Sequence, residues 1–104
     1  MESINWIEKF VDRAGSYEGY LDDKALQDAI IREIEIIGEA LRAVTSEFRS
    51  KYPDLPWEDA IGMRDKLIHD YMGVDLLKVW ETATLDVTKL KVQLREILAT
   101  EGVT

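Results

Sequence analysis

Several residue types that catalytic and structural sites often require are scarce in this chain. It has no cysteine, which excludes a disulfide scaffold, a thiolate metal site and a cysteine nucleophile. Its single histidine, His69, could complete a zinc site only with carboxylates or with a second chain. No apolar run approaches the ~20 residues of a membrane span, and the N-terminus lacks the basic and apolar regions of a secretory signal. We therefore expect a cytoplasmic protein without membrane association, and the composition predicts neither a cofactor nor a bound metal.

Positive charge is also in short supply. The chain carries 13 Lys and Arg against 21 Asp and Glu, a net charge of −8, which argues against non-specific binding to nucleic-acid phosphates. The deficit is uneven, because residues 1–41 sum to −6 and residues 70–104 to −2, whereas residues 42–69 sum to zero. The middle of the chain is therefore the stretch that does not itself repel an anionic ligand. In the rest of the chain, the simplest interpretation is that the acidic residues keep the protein soluble.

Apolar residues recur at helical spacing along most of the chain, and no alternating strand pattern competes with them. The 104 residues predict one domain, 1–104, with an all-α fold: an up-and-down bundle of four to five helices joined by short loops. The predicted elements are a helix over roughly 2–14, a second helix capped by Asp22 or Asp23, a connecting turn over 45–56, a third helix from Pro56 or Trp57 to about Tyr71, and a last segment capped by Asp75.

Two of these elements have informative patterns. The second helix carries an apolar stripe, and Arg32, Glu35 and Glu39 lie close together on another of its faces. The last segment fits one long helix or two nearly collinear helices, with any break expected among its β-branched threonines. The stripe of the second helix is Leu26, Ile30, Ile34, Ile37, Leu41 and Val44, and the threonines are Thr82, Thr84 and Thr88.

The reactive side chains are concentrated between Met63 and Tyr71. Arg64 and His69 are five residues apart, which separates them by about 140° around a regular helix and by about 7.5 Å along it. Within one regular helix they would not point at the same atom. They could converge on one phosphate if the helix loosens near His69 or if two chains face each other.

These residue types suit cleavage of RNA without a metal. A ribose 2′-hydroxyl must lose a proton to attack the adjacent phosphodiester, and the leaving 5′-oxygen must gain one; histidine can do either near neutral pH. A planar guanidinium can hold two oxygens of the phosphate as negative charge gathers on it. Because one chain has one histidine, the hypothesis requires a symmetric dimer that brings two copies of Arg64 and His69 to one cleft.

Each of these residues also has a structural interpretation. A lone histidine in a helix is commonly a partly buried side chain with a hydrogen-bond partner, and an Arg-Asp-Lys cluster is commonly a solvated face. Tyr71 would then be an amphipathic residue at the edge of the core. The spacing of Arg64 and His69 arises often by chance, so it leaves these interpretations open.

Two longer motifs in a fixed order carry more information. The stretch PWEDAIGMRDKLIHDYMGVD over 56–75, followed by Val79-Trp80, closely resembles the HepT-like branch of the HEPN superfamily. The segments QDAIIR over 27–32 and EIIGEA over 35–40 resemble the same branch, as does the KYP segment over 51–53. The resemblance covers about residues 16–100, nearly the whole chain.

The resemblance implies a dimerising α-helical bundle and a metal-independent endoribonuclease. It places the catalytic residues at Arg64 and His69, with Asp65 as the supporting polar residue of the motif. It further implies the toxin of a toxin–antitoxin pair, with RNA, and transfer RNA in particular, as the substrate. The antitoxin would be a small, MntA-like nucleotidyltransferase that binds the toxin and attaches AMP to the tyrosine two residues after the histidine, here Tyr71.

Charge and bulk give this modification a physical rationale. AMP on Tyr71 would place a negative phosphate beside His69 and exclude the substrate phosphate. Glu35 or Glu39 of the second helix could orient Arg64, or could simply belong to a solvated acidic face. Two other functions stay open: a non-catalytic helical module that binds a nucleotidyltransferase, and a helical dimer in which His69 is structural.

Overall fold

Helices account for nearly all regular structure in the computed structural model, which describes residues 1–69 and 73–102. No strand occurs in these two ranges, so the predicted all-α fold is confirmed. The molecule measures 41 × 28 × 17 Å along its principal axes. The elements are α1 (Glu2–Ala14), α2 (Tyr17–Leu21), α3 (Lys24–Arg42), α4 (Ser46–Lys51), α5 (Trp57–His69), α6 (Leu76–Glu81), a π-helical segment (Thr82–Asp86) and α7 (Val87–Thr100).

Aspartate side chains fix the start of two helices where the sequence predicts them. The Asp23 carboxylate accepts a hydrogen bond from the Leu26 amide at 3.1 Å, so of the two predicted caps of α3 the second is used. Asp75 accepts from the amide of Lys78 at 3.2 Å and starts α6 as predicted. Each carboxylate satisfies an amide that has no partner within its helix.

The predicted turn over 45–56 and the segment between α1 and α3 each contain a short helix that the apolar pattern does not reveal. Ser16 caps α2 by accepting from the Gly19 amide at 3.1 Å, and Thr45 caps α4 by accepting from the Phe48 amide at 3.2 Å. Helices of five and six residues have too few turns to produce a periodic stripe. Their N-caps are the sequence signal that remains.

Helices α6 and α7 form one continuous helix, which widens into a π-helix at Thr82–Asp86. This is where the sequence predicts a break. The hydroxyls of Thr82 and Thr84 donate to the carbonyls of Lys78 and Trp80, each at 2.8 Å. Such bonds to the carbonyl four residues back compete with the helical ladder and bend it.

Helix α3 lies at the centre and packs against α1 and α5. Its buried row differs from the predicted apolar stripe, because Gln27 and Gly38 are buried where the pattern favours Leu26 and Ile37. The last residue of that stripe, Val44, lies beyond the end of α3 and is only partly buried. The Gln27 amide donates to the carbonyls of Tyr20 and Leu21, at 3.0 and 3.1 Å, which makes its burial possible. In the described ranges no helix is long and apolar enough to cross a bilayer.

Tyr20 joins the short helix α2 to α6. Its side chain has no solvent exposure, and its hydroxyl donates to the Leu76 carbonyl at 2.8 Å. Its ring lies against that of Trp80, with the ring centroids 4.9 Å apart. Burial raises the pKa of Tyr20 to about 12, because the charged phenolate would be desolvated.

Replacing Tyr20 by phenylalanine tests this connection. We expect the free energy of unfolding at pH 7 to fall by about 1 kcal/mol, the usual net value of an intramolecular hydrogen bond. Urea denaturation followed by circular dichroism measures the change. Tyr17→Phe is the matched control, because Tyr17 also stacks on Tyr20 but its hydroxyl has no hydrogen bond to the described residues. Equal stability of the two variants would contradict the assignment.

A second measurement compares the stability of the wild type and of Tyr20→Phe at alkaline pH. The unfolded chain releases the tyrosine proton near pH 10, whereas the folded chain keeps it until about 12. Between these values the unfolded state binds fewer protons, so stability is lost as the pH rises. The stability difference between the wild type and Tyr20→Phe should therefore shrink from pH 10 to 12, and a constant difference would contradict the raised pKa.

Candidate active site

The site is built on the crossing of α3 and α5, the pair of helices with the most extensive contact. The helices approach closely because Gly38 faces α5 without a side chain. A β-carbon at position 38 would lie 2.3 Å from the Arg64 β-carbon and 2.9 Å from the Ala60 carbonyl oxygen. No real side chain fits at these distances. Gly38 thus allows the stem of Arg64 to lie directly on α3.

The guanidinium of Arg64 is held between two carboxylates. Its Nη1 donates to Asp65 Oδ1 at 2.8 Å, and its Nη2 lies 3.8 Å from Glu39 Oε2. The side chain is only 20% exposed, and its Nε is buried with no hydrogen-bond partner among the described residues. The hydrogen bond to Asp65 raises the pKa of Arg64 further above its ordinary value. Arg64 is therefore a fixed cation, and Glu39 is the closer of the two predicted orienting glutamates.

Asp65 connects Arg64 to a second arginine. The same oxygen, Oδ1, also accepts from Arg42 Nη1 at 3.0 Å. The hydrogen bond from Arg64 lowers the pKa of the Asp65 carboxyl below its ordinary value, and the charges of Arg42 and His69 act in the same direction. Asp65 is thus ionised at neutral pH and serves as an anchor for two guanidinium groups.

Arg49 of α4 ties together the ends of the two crossing helices. It donates to the carbonyls of Leu41, Arg42 and Val44 at 3.2, 2.9 and 3.2 Å, where α3 ends. The Leu41 carbonyl also accepts from the Val44 amide at 3.2 Å. An arginine here supplies further donors to carbonyls at the end of the helix and complements the helix dipole. The same guanidinium lies 5.8 Å from the ring of Trp57, the first residue of α5.

His69 is the last residue of α5 and is exposed. Up to His69 the chain is α-helical, and residues 70–72 lie outside the part of the chain that the structure describes. Arg64 and His69 are therefore separated around the helix by the predicted angle of about 140°. One chain alone presents a fixed guanidinium and, further along the same helix, one accessible imidazole. Tyr71, the predicted modification site, lies outside the described residues.

An open groove of about 640 Å³ borders the site between α3 and the ends of α5 and α6. Part of its wall is formed by Ile68, the chain neighbour of His69, and by Glu35, whose charge helps to raise the pKa of Arg64. Arg32 also lines the groove and lies 3.6 Å from Glu35. The groove therefore combines apolar surface with paired charges, beside the two residues of the motif.

Sequence reasoning missed three residues of this arrangement. Arg42 continues the helical face of Arg32, Glu35 and Glu39, so its spacing was a usable signal. The contacts of Gly38 and Arg49 depend on tertiary packing, and no local pattern reveals them.

Comparison with known proteins identifies the family of the chain. The model of a family described as "Ribonuclease HepT-like" matches residues 1–97. The chain belongs to the HepT-like ribonuclease family. The predicted assignment is thereby confirmed at the level of the family. No solved structure was found to match this HepT-like chain.

Individual relatives of the HepT-like chain carry the same kind of name. A candidate RNase of Methanocaldococcus jannaschii is 45% identical over 82 residues, which are 79% of this chain and 71% of the relative. A candidate RNase of Caldanaerobacter subterraneus is 44% identical over 86 residues, 83% of this chain and 77% of the relative. A candidate ribonuclease HepT of Thermococcus cleftensis is 44% identical over 90 residues, which are 86% of this chain and 81% of the relative.

Two glycine-to-alanine substitutions test the helix crossing. Gly38→Ala should lower the free energy of unfolding by about 1–3 kcal/mol, because the added methyl group forces α3 and α5 apart. Gly62→Ala is the matched control on α5, where a β-carbon meets nothing within 4 Å. It should raise the free energy of unfolding by about 0.5–1 kcal/mol, the helix preference of alanine over glycine. Similar effects of the two changes in urea denaturation would rule out the close crossing.

Proposed function

We propose that this chain is the toxin of a toxin–antitoxin pair and acts as a metal-independent endoribonuclease, with transfer RNA as a candidate substrate. Membership of the HepT-like ribonuclease family carries the proposal. The geometry supports it, because the motif residue Arg64 is a partly buried guanidinium held in place by Asp65 and Glu39. A fixed planar cation is suited to bind the oxygens of a phosphodiester.

The proposed reaction moves two protons. The ribose 2′-oxygen attacks the adjacent phosphorus as its proton passes to neutral His69. The phosphorus–5′-oxygen bond breaks, and a protonated histidine gives its proton to the leaving oxygen. Arg64 stabilises the negative charge that develops on the phosphate oxygens. Asp65 is excluded as the proton carrier because its lowered pKa keeps it ionised.

A homodimer supplies the second histidine. Each chain has one histidine, and general acid–base cleavage uses one imidazole as base and another as acid. His69 is exposed at the end of α5, where a second chain can reach it. A twofold arrangement would set two imidazoles and two guanidinium groups around one cleft.

RNA cleavage in the presence of EDTA tests this proposal. The wild-type chain should cleave labelled transfer RNA, and His69→Ala and Arg64→Ala should each lower the rate by about 10²-fold or more, as expected for loss of an acid–base group or of a phosphate-stabilising donor. Arg13→Ala is a control that removes a cation from α1 instead. Cleavage by His69→Ala at the wild-type rate would refute the assignment. A chain that binds a nucleotidyltransferase but cleaves no RNA would favour the binding module.

We further propose that an MntA-like nucleotidyltransferase neutralises the toxin by adding AMP to Tyr71. This proposal rests on the position of Tyr71, two residues after His69 in the family motif. The added phosphate would repel the substrate phosphate and its adenosine would occupy the space beside His69.

Mass spectrometry of the chain co-expressed with such a nucleotidyltransferase tests the modification. The protein should gain mass in discrete AMP increments, with the first adduct mapped to Tyr71, and the modified protein should no longer cleave RNA. Tyr71→Phe should remain unmodified at this position and stay active in the presence of the partner. An adduct confined to other residues would contradict the assignment of Tyr71.

A further inference from the structure

We propose that Arg42 is a second phosphate-binding residue, which contacts the RNA backbone beside the phosphate that Arg64 holds. The inference rests on the proposed ribonuclease function and extends the binding site to the end of α3. Arg42 lies outside the motif of α5, 22 positions before Arg64 in the chain. It is brought to the motif by tertiary structure.

The shared carboxylate of Asp65 sets the distance between the two cations. Arg64 Nη1 and Arg42 Nη1 lie 2.8 and 3.0 Å from the same oxygen atom. The two nitrogens can therefore be no further apart than these two hydrogen bonds laid end to end. Groups this close can contact the same phosphate or neighbouring ones along one strand.

Arg42 has donors left for a ligand. A guanidinium has five N–H groups, and the described residues accept a hydrogen bond from one of them, at Asp65. The side chain is 55% exposed, whereas that of Arg64 is 20% exposed. Arg42 thus keeps four of its five N–H donors for solvent or a ligand.

The charge balance of the site favours such a residue. Without Arg42, the two carboxylates of Asp65 and Glu39 outweigh the single positive charge of Arg64. A phosphate approaching that group would be repelled by the excess negative charge, in a protein whose net charge is already −8. Arg42 brings these four residues to neutrality, and the nearby carboxylate of Glu35 is balanced by Arg32 at 3.6 Å.

The backbone of Arg42 is also held in place. Arg49 donates to the Arg42 carbonyl at 2.9 Å, and its guanidinium lies over the ring of Trp57 at the start of α5. Arg42 is therefore anchored both at its carbonyl and at its guanidinium. A donor that is fixed before the ligand arrives loses little conformational freedom on binding.

Binding of RNA by uncleaving protein tests the role of Arg42. All proteins carry His69→Ala, and each is titrated into fluorescently labelled transfer RNA at several salt concentrations. The variants compared are Arg42→Gln, Arg42→Lys and Arg95→Gln. Arg95→Gln is the matched control, because it removes one exposed positive charge from α7. Arg42→Gln should weaken binding severalfold and reduce the slope of log Kd against log salt by about 0.7 for each lost phosphate contact. Arg42→Lys should keep the wild-type slope.

The salt slope separates a phosphate contact from a purely structural role. If Arg42 only supported Asp65, its loss could weaken binding but would leave the slope equal to that of Arg95→Gln, and this outcome overturns the inference. Cleavage assays of the protein with His69 intact separate the two proposals. If that protein cleaves RNA but Arg42 has no effect on the slope, only the inference fails. If the protein with His69 intact does not cleave RNA, the proposed function fails, whatever effect Arg42 has on the salt slope.

Discussion

The close crossing of α3 and α5 at Gly38 is the constraint on which the site depends. Because position 38 has no β-carbon, the stem of Arg64 lies against α3, and its guanidinium reaches both Glu39 and Asp65. A partly buried charge is stable only when nearby groups compensate for it. Asp65 provides that compensation and, by accepting from Arg42 as well, joins the end of α3 to the motif of α5.

The proposed phosphate site lies in an acidic protein, and this arrangement gives it local positive charge. The net charge of −8 is carried mainly by the ends of the chain, while residues 42–69 are balanced and supply Arg42, Arg49 and Arg64. Folding gathers these three arginines around the α3–α5 crossing. Local charge, rather than the total, then governs the approach of a phosphate.

Much of the fold follows from local sequence signals. Asp23 and Asp75 mark helix starts through their side-chain chemistry, and the threonines of the continuous α6–α7 helix mark its π-helical segment. The short helices α2 and α4 escaped prediction because they are too brief for a periodic pattern. The buried row of α3 was shifted at Gln27 and Gly38, since hydrophobicity identifies neither an amide satisfied by backbone carbonyls nor a glycine selected for close approach. For the site, the motif indicated Arg64 and its neighbours, whereas the contributions of Arg42 and Arg49 arise only from tertiary contacts.

In the proposed mechanism, the guanidinium of Arg64, fixed against α3, stabilises the phosphate during cleavage. The most direct measurement is the single-turnover rate of RNA cleavage by Arg64→Lys at saturating protein. Lysine keeps the positive charge and an aliphatic stem over Gly38 but loses the planar pair of donors. We expect a rate at least about tenfold lower than that of the wild type, because a positioned donor to the developing charge is lost. A rate equal to that of the wild type would contradict this role of Arg64.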